Sequence, residues 1–252
     1  MRILVLSDIH SNLEALEACI AAAPAHDLVV NLGDIVGYGA SPNEVIKRVR
    51  GMGEIFVRGN HDKAVCGITD LKDFNPVAGI AALWTREQLP AANLEWLTAL
   101  PQGPISVEGV EDTQFVHGSP VDEDEYLVTL HDAIPPLLVS SSNLTFFGHT
   151  HIQGSFFTTA GDMGDVAYPE YKTVGKAETS EFPLKEGVRY LINPGSVGQP
   201  RDGNWRAAFV LFNTESRVIT FHRVPYNLKA AQDRILDANL PLRLATRLAA
   251  GR

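Results

Sequence analysis

The residues best suited to chemistry in this chain are histidines, aspartates and an asparagine that follow short apolar runs. The segment Gly59-Asn60-His61-Asp62 comes directly after Ile55-Phe56-Val57, so an amide, an imidazole and a carboxylate lie where a buried strand is predicted to end. Because His and Asp are costly to bury without partners, these residue types at a strand end indicate a binding or catalytic site more than core packing.

Further apolar runs end in the same kind of residue. They lead into Asp8 and His10, into Asp34, into His117, and into His149 and His151. Ligands of α/β sheets bind at the carboxyl ends of the strands, so we expect these side chains to meet. Imidazoles and carboxylates without a thiolate suit Mn, Fe, Zn, Co or Ni better than Ca. With Asn60 the set exceeds what one ion needs, which predicts two divalent ions that share a bridging carboxylate, about 3.5–4 Å apart.

Composition limits the classes of function. The chain has 252 residues, of which 45% are hydrophobic and 20% charged, as expected of a soluble globular protein with a sizeable core. Its net charge is −9 and it has no run of Lys or Arg, which disfavours extended nucleic acid as a partner. We expect bound cations to attract phosphate locally.

Cysteine usage and the apolar runs give an expected compartment. Cys19 and Cys66 do not form a disulfide framework, and we expect both to be packing residues. The apolar run at the N-terminus is interrupted by Asp8 too early for a signal peptide, and no run reaches transmembrane length. The sequence therefore predicts a cytoplasmic protein without a membrane partner, and it leaves the oligomeric state open.

The first part of the chain reads as alternating strands and helices. Strands are predicted over 2–7, 27–32 and 55–57, and helices over 12–23 and 42–50. Ser41 as N-cap, Pro42 at the first helical position and Glu44 in a capping box mark the start of the second helix. This alternation predicts a parallel sheet.

The pattern changes after Pro104. Helices are predicted from Asn75 and over 94–100, followed by short strands over 105–107, 113–116, 143–147, 190–192, 207–212 and 217–224, and a final helix over 227–248 with a break near Pro241. We expect an α/β (α+β) fold in which two sheets face each other between helices, as a single domain over 1–252. Residues 152–189 read as an insertion of hairpins or loop beside the site.

The ordered motifs carry a family resemblance. They are Asp8-Ile9-His10, Gly33-Asp34, Gly59-Asn60-His61-Asp62, His117 and Gly148-His149-Thr150-His151. In this order they resemble the calcineurin-like metallophosphoesterases. The later segment from Asn193 to Arg201 resembles the prokaryotic branch described as YfcE-like phosphodiesterases or diadenosine-tetraphosphatase-related phosphatases.

The resemblance implies a four-layer αββα sandwich and a division of the ligands. One ion would take Asp8, His10, Asp34 and His151, and the other would take Asp34, Asn60, His117 and His149, with Asp34 as the bridge. Two ions would lower the pKa of a shared water, which would attack phosphorus as hydroxide, and manganese is the first expectation. The resemblance also implies that His61 supplies a proton or a positive neighbour to the leaving oxygen.

Of four other polar residues, three have two interpretations each. Asn12 caps a helix or hydrogen-bonds a ligand, and Asp62 orients the site or is a helix N-cap. Arg58 contacts phosphate, or it is a surface residue whose aliphatic part is buried while its charge faces water. Arg201 is the better candidate for a phosphate contact. The acidic run 122–125 is expected to be a solvated surface feature.

The resemblance implies a phosphoester hydrolase, and the expected substrates are small phosphodiesters or nucleotides. Alternatives are a phosphomonoesterase, a protein phosphatase, a dinucleoside-polyphosphate hydrolase, and a regulatory module that binds metal or nucleotide without turnover. Protein Ser/Thr phosphatases of this superfamily carry an Asp-Arg pair where this chain has Gly37 and Tyr38. That departure argues against a protein phosphatase.

Overall fold

The computed structural model describes residues 1–53, 55–158 and 164–252. The strands are β1 (Arg2–Leu6), β2 (Leu28–Asn31), β3 (Ile55–Phe56), β4 (Ile105–Val107), β5 (Val110–Phe115), β6 (Leu144–Phe146), β7 (Gly154–Thr158), β8 (Asp165–Ala167), β9 (Glu178–Pro183), β10 (Arg189–Asn193), β11 (Ala207–Asn213) and β12 (Val218–Val224). The α-helices are α1 (Leu13–Ala22), α2 (Pro42–Arg50), α3 (Asn60–Cys66), α4 (Pro76–Gln88), α5 (Ala91–Thr98), α6 (Leu130–Val139), α7 (Leu228–Asp237) and α8 (Leu242–Ala250).

The described strands form two mixed sheets of six strands each. The first has the order β3-β2-β1-β11-β12-β9 and the second has the order β4-β5-β6-β10-β7-β8. In the first sheet β1, β2 and β3 are parallel, and in the second β5, β6 and β10 are parallel. The predicted arrangement of two sheets between helices is confirmed.

Alternation along β1 shows why the sheets lie face to face. Ile3 and Val5 point into a core between the sheets, which they share with Phe146 and Ile192 of the second sheet. The intervening residues of β1 point to the other face, where α1 and the C-terminal helices cover the sheet. A strand with apolar residues on both faces must be covered on both sides. On the far side of the second sheet, α6 packs over Phe147.

The segment 152–189 differs from its prediction. Its described residues contribute the β7–β8 hairpin to the second sheet and β9 to the edge of the first sheet. In addition, β7 pairs with β10 along its whole length. The strands of this segment are therefore integral to the sheets, with β7 and β8 in the second sheet and β9 in the first. The part of the prediction that falls on residues 159–163 lies outside the described residues.

The helices show three local departures. Helix α2 begins at Pro42 as predicted, but Ser41 makes no side-chain capping hydrogen bond, so the predicted capping box is wrong. Helix α5 begins at Ala91, three residues before the predicted start. Helix α6 was not predicted, although Thr129 and Asp132 form a capping box at its start.

In the part of the chain that the structure describes, we find no helix that is both long enough and apolar enough to span a membrane.

Candidate metal centre

The strand ends of both sheets bring the predicted ligands together. Asp8 and His10 follow β1, Asp34 follows β2, His117 follows β5, and His149 and His151 follow β6. Ligand atoms of Asp8, His10, Asp34 and His151 all lie within 4.8 Å of one another, and so do those of Asp34, His117 and His149. All six side chains are buried. The two groups share Asp34, the residue that the family resemblance implies as the bridge.

The backbone of these loops is unusual. Five of the candidate ligands have positive φ: Asp8 (53°), His10 (49°), Asp34 (52°), His149 (66°) and His151 (61°). The left-handed region disfavours residues with a side chain, and each such residue costs on the order of 1–3 kcal/mol. Strain of this kind persists where surrounding structure fixes it, and it clusters at functional sites.

Main-chain hydrogen bonds supply that fixation. Asp8 N–H donates to Gly33 O at 3.0 Å, and His10 N–H donates to Asp34 O at 2.9 Å. The segment after β10 adds side-chain contacts, since Ser196 Oγ donates to Asp8 O and Asn193 Nδ2 donates to Gly148 O. Hydrogen bonds from the segment Asn193 to Arg201 thus hold in place the loops that carry the candidate ligands.

Two imidazoles face each other in a way that a bound cation would satisfy. The Nε2 atoms of His10 and His151 are 3.1 Å apart. His10 Nδ1 lies 3.1 Å from Val36 O and His151 Nδ1 lies 2.6 Å from Gln199 O. A carbonyl oxygen only accepts, so both Nδ1 atoms carry the proton and both Nε2 atoms present a lone pair. Two facing lone pairs cannot hydrogen-bond to each other, whereas both can ligate a metal ion.

His117 and His149 are likewise oriented by a hydrogen bond from one ring nitrogen to a main-chain carbonyl oxygen. His117 Nδ1 donates to Leu32 O at 2.8 Å, which leaves Nε2 free to face Asn60 Oδ1 at 3.3 Å. His149 Nε2 donates to Asp124 O at 3.1 Å, which leaves Nδ1 as its ligand atom. Metal-ligating histidines typically donate their other ring N–H to a carbonyl or carboxylate.

The carboxylates also fit a cation. Among the described residues, Asp8 Oδ1 and Asp34 Oδ2 are buried without a hydrogen-bond donor. Asp8 Oδ1 lies 3.3 Å from His151 Nε2, and Asp34 Oδ2 lies 3.5 Å from the Nε2 atoms of both His10 and His117. An unpaired buried carboxylate oxygen is unfavourable unless an ion or donor meets it. The donor set therefore fits divalent cations, and Asp34 belongs to both groups.

The pKa values agree with this reading. Burial lowers the pKa of His149 to about 3 and that of His10 well below its usual value, so both rings are neutral, the form that binds metal. Burial would lower the pKa of His117 as well, but the adjacent Asp34 carboxylate raises it to about 9. A cation at this position would displace the proton of His117.

His61 lies beside these two groups. Its main-chain N–H donates to Asp34 Oδ1 at 2.8 Å, which fixes the carboxylate independently of the imidazole. The ring packs against Tyr38, His10 and Phe74, with centroid distances of 4.3, 4.9 and 5.1 Å. It lines an open cleft next to the centre. Burial lowers the pKa of His61 to about 4, so its ring is neutral near neutral pH.

Comparisons with known proteins agree with the fold. Residues 1–217 match the model of the calcineurin-like phosphoesterase superfamily domain. The chain belongs to this superfamily. It is also 37% identical over 254 residues to an uncharacterized protein of Methanocaldococcus jannaschii, a match that covers 99% of this chain and 98% of that protein.

Two solved structures resemble this family member over its whole length. A metallophosphoesterase from Sphaerobacter thermophilus is 40% identical with a TM-score of 0.85, and the match covers 100% of this chain and 99% of that one. A hypothetical protein from Pyrococcus horikoshii is 20% identical with a TM-score of 0.77, covering 100% and 98%, and this second likeness concerns the fold alone.

In this phosphoesterase-family chain, Asp62 and Asn12 hold loops in place. Asp62 is the third residue of α3, so its interpretation as the N-cap is wrong. Its carboxylate accepts from Gly59 N–H at 3.0 Å and from Val36 N–H at 3.1 Å. Asn12 caps α1 by accepting from Ala15 N–H, and its amide donates to Gly198 O.

The acidic run 122–125 is solvated only in part: Asp122 and Asp124 are exposed as predicted, but Glu123 and Asp124 pair with basic side chains, which the prediction did not include. Arg58 donates to both Glu123 carboxylate oxygens at 2.8 and 2.9 Å, and the buried Lys63 lies 3.0 Å from Glu123 and 2.6 Å from Asp124. Arg58 is therefore committed to Glu123 and not to phosphate. These pairs hold the loop whose Asp124 carbonyl orients His149.

Arg201 lies at the rim of the site. Its Nη2 donates to Gln199 Oε1 at 3.1 Å and to the Tyr38 hydroxyl at 3.3 Å, and its guanidinium lies against the Tyr126 hydroxyl. The Tyr126 ring packs on His149 with centroids 3.7 Å apart and is half-exposed. The sequence did not indicate Tyr38 or Tyr126 as site residues, because an aromatic residue in a loop is not specific to a binding site.

Gly59 gives a test of how tightly the loops pack. A Cβ atom at Gly59 would lie 2.1 Å from Asp34 Oδ1 and 2.3 Å from Asp34 N. Gly59→Ala should therefore destabilise the fold by about 1–3 kcal/mol, through overpacking, and weaken metal binding. Chemical denaturation and metal analysis measure both effects. Gly175→Ala is the control, since nothing lies within 4 Å of its Cβ position, and equal stability of the two variants would contradict the packing described.

Proposed function

We propose that the protein hydrolyses small phosphoesters with two divalent metal ions, and that phosphodiesters or nucleotides are its substrates. The observation that carries this proposal is the pair of ligand groups joined at Asp34, with lone pairs of His10 and His151 turned toward each other. Asp8, His10, Asp34 and His151 would hold one ion, and Asp34, Asn60, His117 and His149 would hold the other. Bound there, the ions would supply an activated water and neutralise charge on the phosphoryl oxygens.

The chain's own residues would position the substrate and the leaving group. His61 lines the cleft as a neutral imidazole, and its N–H can donate a hydrogen bond to the leaving oxygen as negative charge develops there. Arg201 at the rim offers a positive charge to a phosphoryl oxygen. The half-buried Asn60 would hold its amide oxygen beside His117, as a neutral ligand that adds no negative charge opposite the substrate.

The site geometry supports a small substrate over a phosphoprotein. Gly37 has φ of 91°, and a Cβ there would lie 2.7 Å from His61 Nδ1. The aspartate that protein phosphatases of the superfamily carry at this place would not fit unless His61 moved. The net charge of −9 likewise favours small substrates over extended nucleic acid.

Metal exchange tests the proposal. The protein stripped with a chelator should lose hydrolysis of bis(4-nitrophenyl) phosphate, and reloading with Mn²⁺ should restore it, along with two ions per chain by elemental analysis. Fe²⁺, Zn²⁺, Co²⁺ and Ni²⁺ are compared in parallel, because the ligand types suit all of them. Comparison with 4-nitrophenyl phosphate separates preference for a diester from preference for a monoester.

One result would contradict the proposed function. If the chain bound two ions but hydrolysed no diester, monoester or dinucleoside polyphosphate with any of these metals, it would be a binding module that retains the metal centre without turnover. A chain that bound no metal would contradict the metal centre itself.

A further inference from the structure

Two arginines from distant parts of the chain meet on one tyrosine at the edge of the metal centre. The guanidinium carbon of Arg201 lies 5.7 Å from the centre of the Tyr38 ring, and that of Arg247 lies 5.8 Å from it. The same ring packs against His10 and His61, with centroid distances of 4.7 and 4.3 Å. Both positive charges are therefore one side chain away from the candidate ligands.

Neither of these arginines has a carboxylate side chain as partner in the ranges that the structure describes. Arg201 uses Nη2 for the neutral oxygens of Gln199 and Tyr38, and its Nε is buried without an acceptor. Arg247 donates from Nε to the main-chain oxygen of Arg252 and contacts Tyr38. Other arginines do meet carboxylates, namely Arg48, Arg58, Arg206, Arg223 and Arg234.

Two guanidinium groups side by side repel each other when no Asp or Glu side chain lies between them. The chain has 30 acidic and 21 basic residues. In the ranges that the structure describes, no Asp or Glu side chain pairs with either arginine, whereas five other arginines do meet carboxylates. Burial and the neighbouring charge of Arg201 lower the pKa of Arg247, as expected of two guanidinium groups that repel each other. An anion bound between them would offset the repulsion.

Guanidinium groups match the oxygens of phosphate, to which they donate parallel hydrogen bonds. We propose that Arg201, Arg247 and Tyr38 bind a second phosphoryl group of the substrate, next to the one held at the metal centre. This rests on the proposed function and narrows its substrate class to phosphoesters that carry a further phosphoryl group. Arg247 lies on α8, beyond residues 1–217 that match the family model, so the family motifs do not supply this subsite.

Calorimetric titration of the manganese-loaded protein with inorganic phosphate and with pyrophosphate tests the subsite. Arg247→Gln should weaken pyrophosphate binding about tenfold and change phosphate binding less than twofold, because only pyrophosphate reaches both positions. Arg243→Gln is the matched control on the same helix, where the side chain is exposed, and should change neither. Arg247→Lys keeps the charge and should lose less affinity than the Gln variant.

The outcomes are distinguishable. Thermal unfolding shows whether Arg247→Gln folds. If it does not, Arg247→Lys becomes the test, and it must weaken pyrophosphate binding more than phosphate binding. Equal weakening of both probes, no effect on either, or the same effect in Arg243→Gln would overturn the subsite. If no phosphoester is hydrolysed but Arg247→Gln still weakens pyrophosphate selectively, the proposed function fails and the subsite stands. If phosphoesters are hydrolysed but Arg247→Gln does not weaken pyrophosphate binding selectively, the proposed function stands and the subsite fails.

Discussion

Replacing Asp34 with Asn is expected to remove at least one metal ion per chain and to lower turnover by about 10³-fold. Asp34 is the residue that both candidate ligand groups share. Its Oδ1 accepts from His61 N–H, and an asparagine can keep that hydrogen bond. With that hydrogen bond kept, an amide nitrogen would take the place of Oδ2, which faces His10 and His117, and it has no lone pair with which to bridge two cations.

The fold should survive this change, so the effect is attributable to the metal centre. Asp34 has φ of 52°, a region in which asparagine is among the best tolerated residues. Asp112→Asn is a matched control, since Asp112 has φ of 53° and an exposed carboxylate that binds Asn143 away from the site. Elemental analysis and steady-state kinetics on both variants measure the difference. An Asp34→Asn protein with two ions and normal turnover would contradict the bridging role.

The grouping of the ligands follows from local patterns that sequence carries well. Apolar runs such as 2–7 and 27–32 have strong strand preference, and β1 and β2 end within a residue of the predicted positions. Each polar motif lies immediately after such a run, so parallel pairing of the strands is sufficient to bring Asp8 and Asp34 to one edge.

Other parts of the fold depend on contacts between distant segments, which local patterns do not encode. Strand β9 has little hydrophobic character and is held by pairing with β12. Helix α6 contains Pro135 and Pro136, which disfavour a helix interior, and packing against the second sheet outweighs that preference.

The parts of the site that sequence reasoning missed are largely main-chain or paired groups. The proton position on His149 is set by the carbonyl oxygen of Asp124, and any residue type could supply that atom. The carboxylate that Arg58 binds belongs to Glu123, which lies 65 positions away in the chain. Such pairings appear only once the loops are placed in space.

Replacing His61 with Ala is expected to lower turnover by about 10²–10⁴-fold while both metal ions remain bound. The ions should remain because the contact to Asp34 comes from the main-chain N–H of residue 61, which alanine retains. The ring itself lines the cleft and belongs to neither of the two candidate ligand groups. It is therefore available to substrate and not committed to holding the ligands.

The leaving group makes this prediction specific. A 4-nitrophenolate is stable without assistance, whereas an alkoxide needs a hydrogen bond or a proton, so His61→Ala should slow alkyl esters considerably more than nitrophenyl esters. Phe74→Leu removes a ring that packs edge-on against His61 but cannot donate a hydrogen bond, and it should affect the two ester types equally. Kinetics on paired alkyl and aryl diesters, with metal content measured alongside, separate the cases. Loss of metal from His61→Ala would mean that the imidazole holds an ion, and an equal loss on both esters would mean that it does not assist the leaving oxygen.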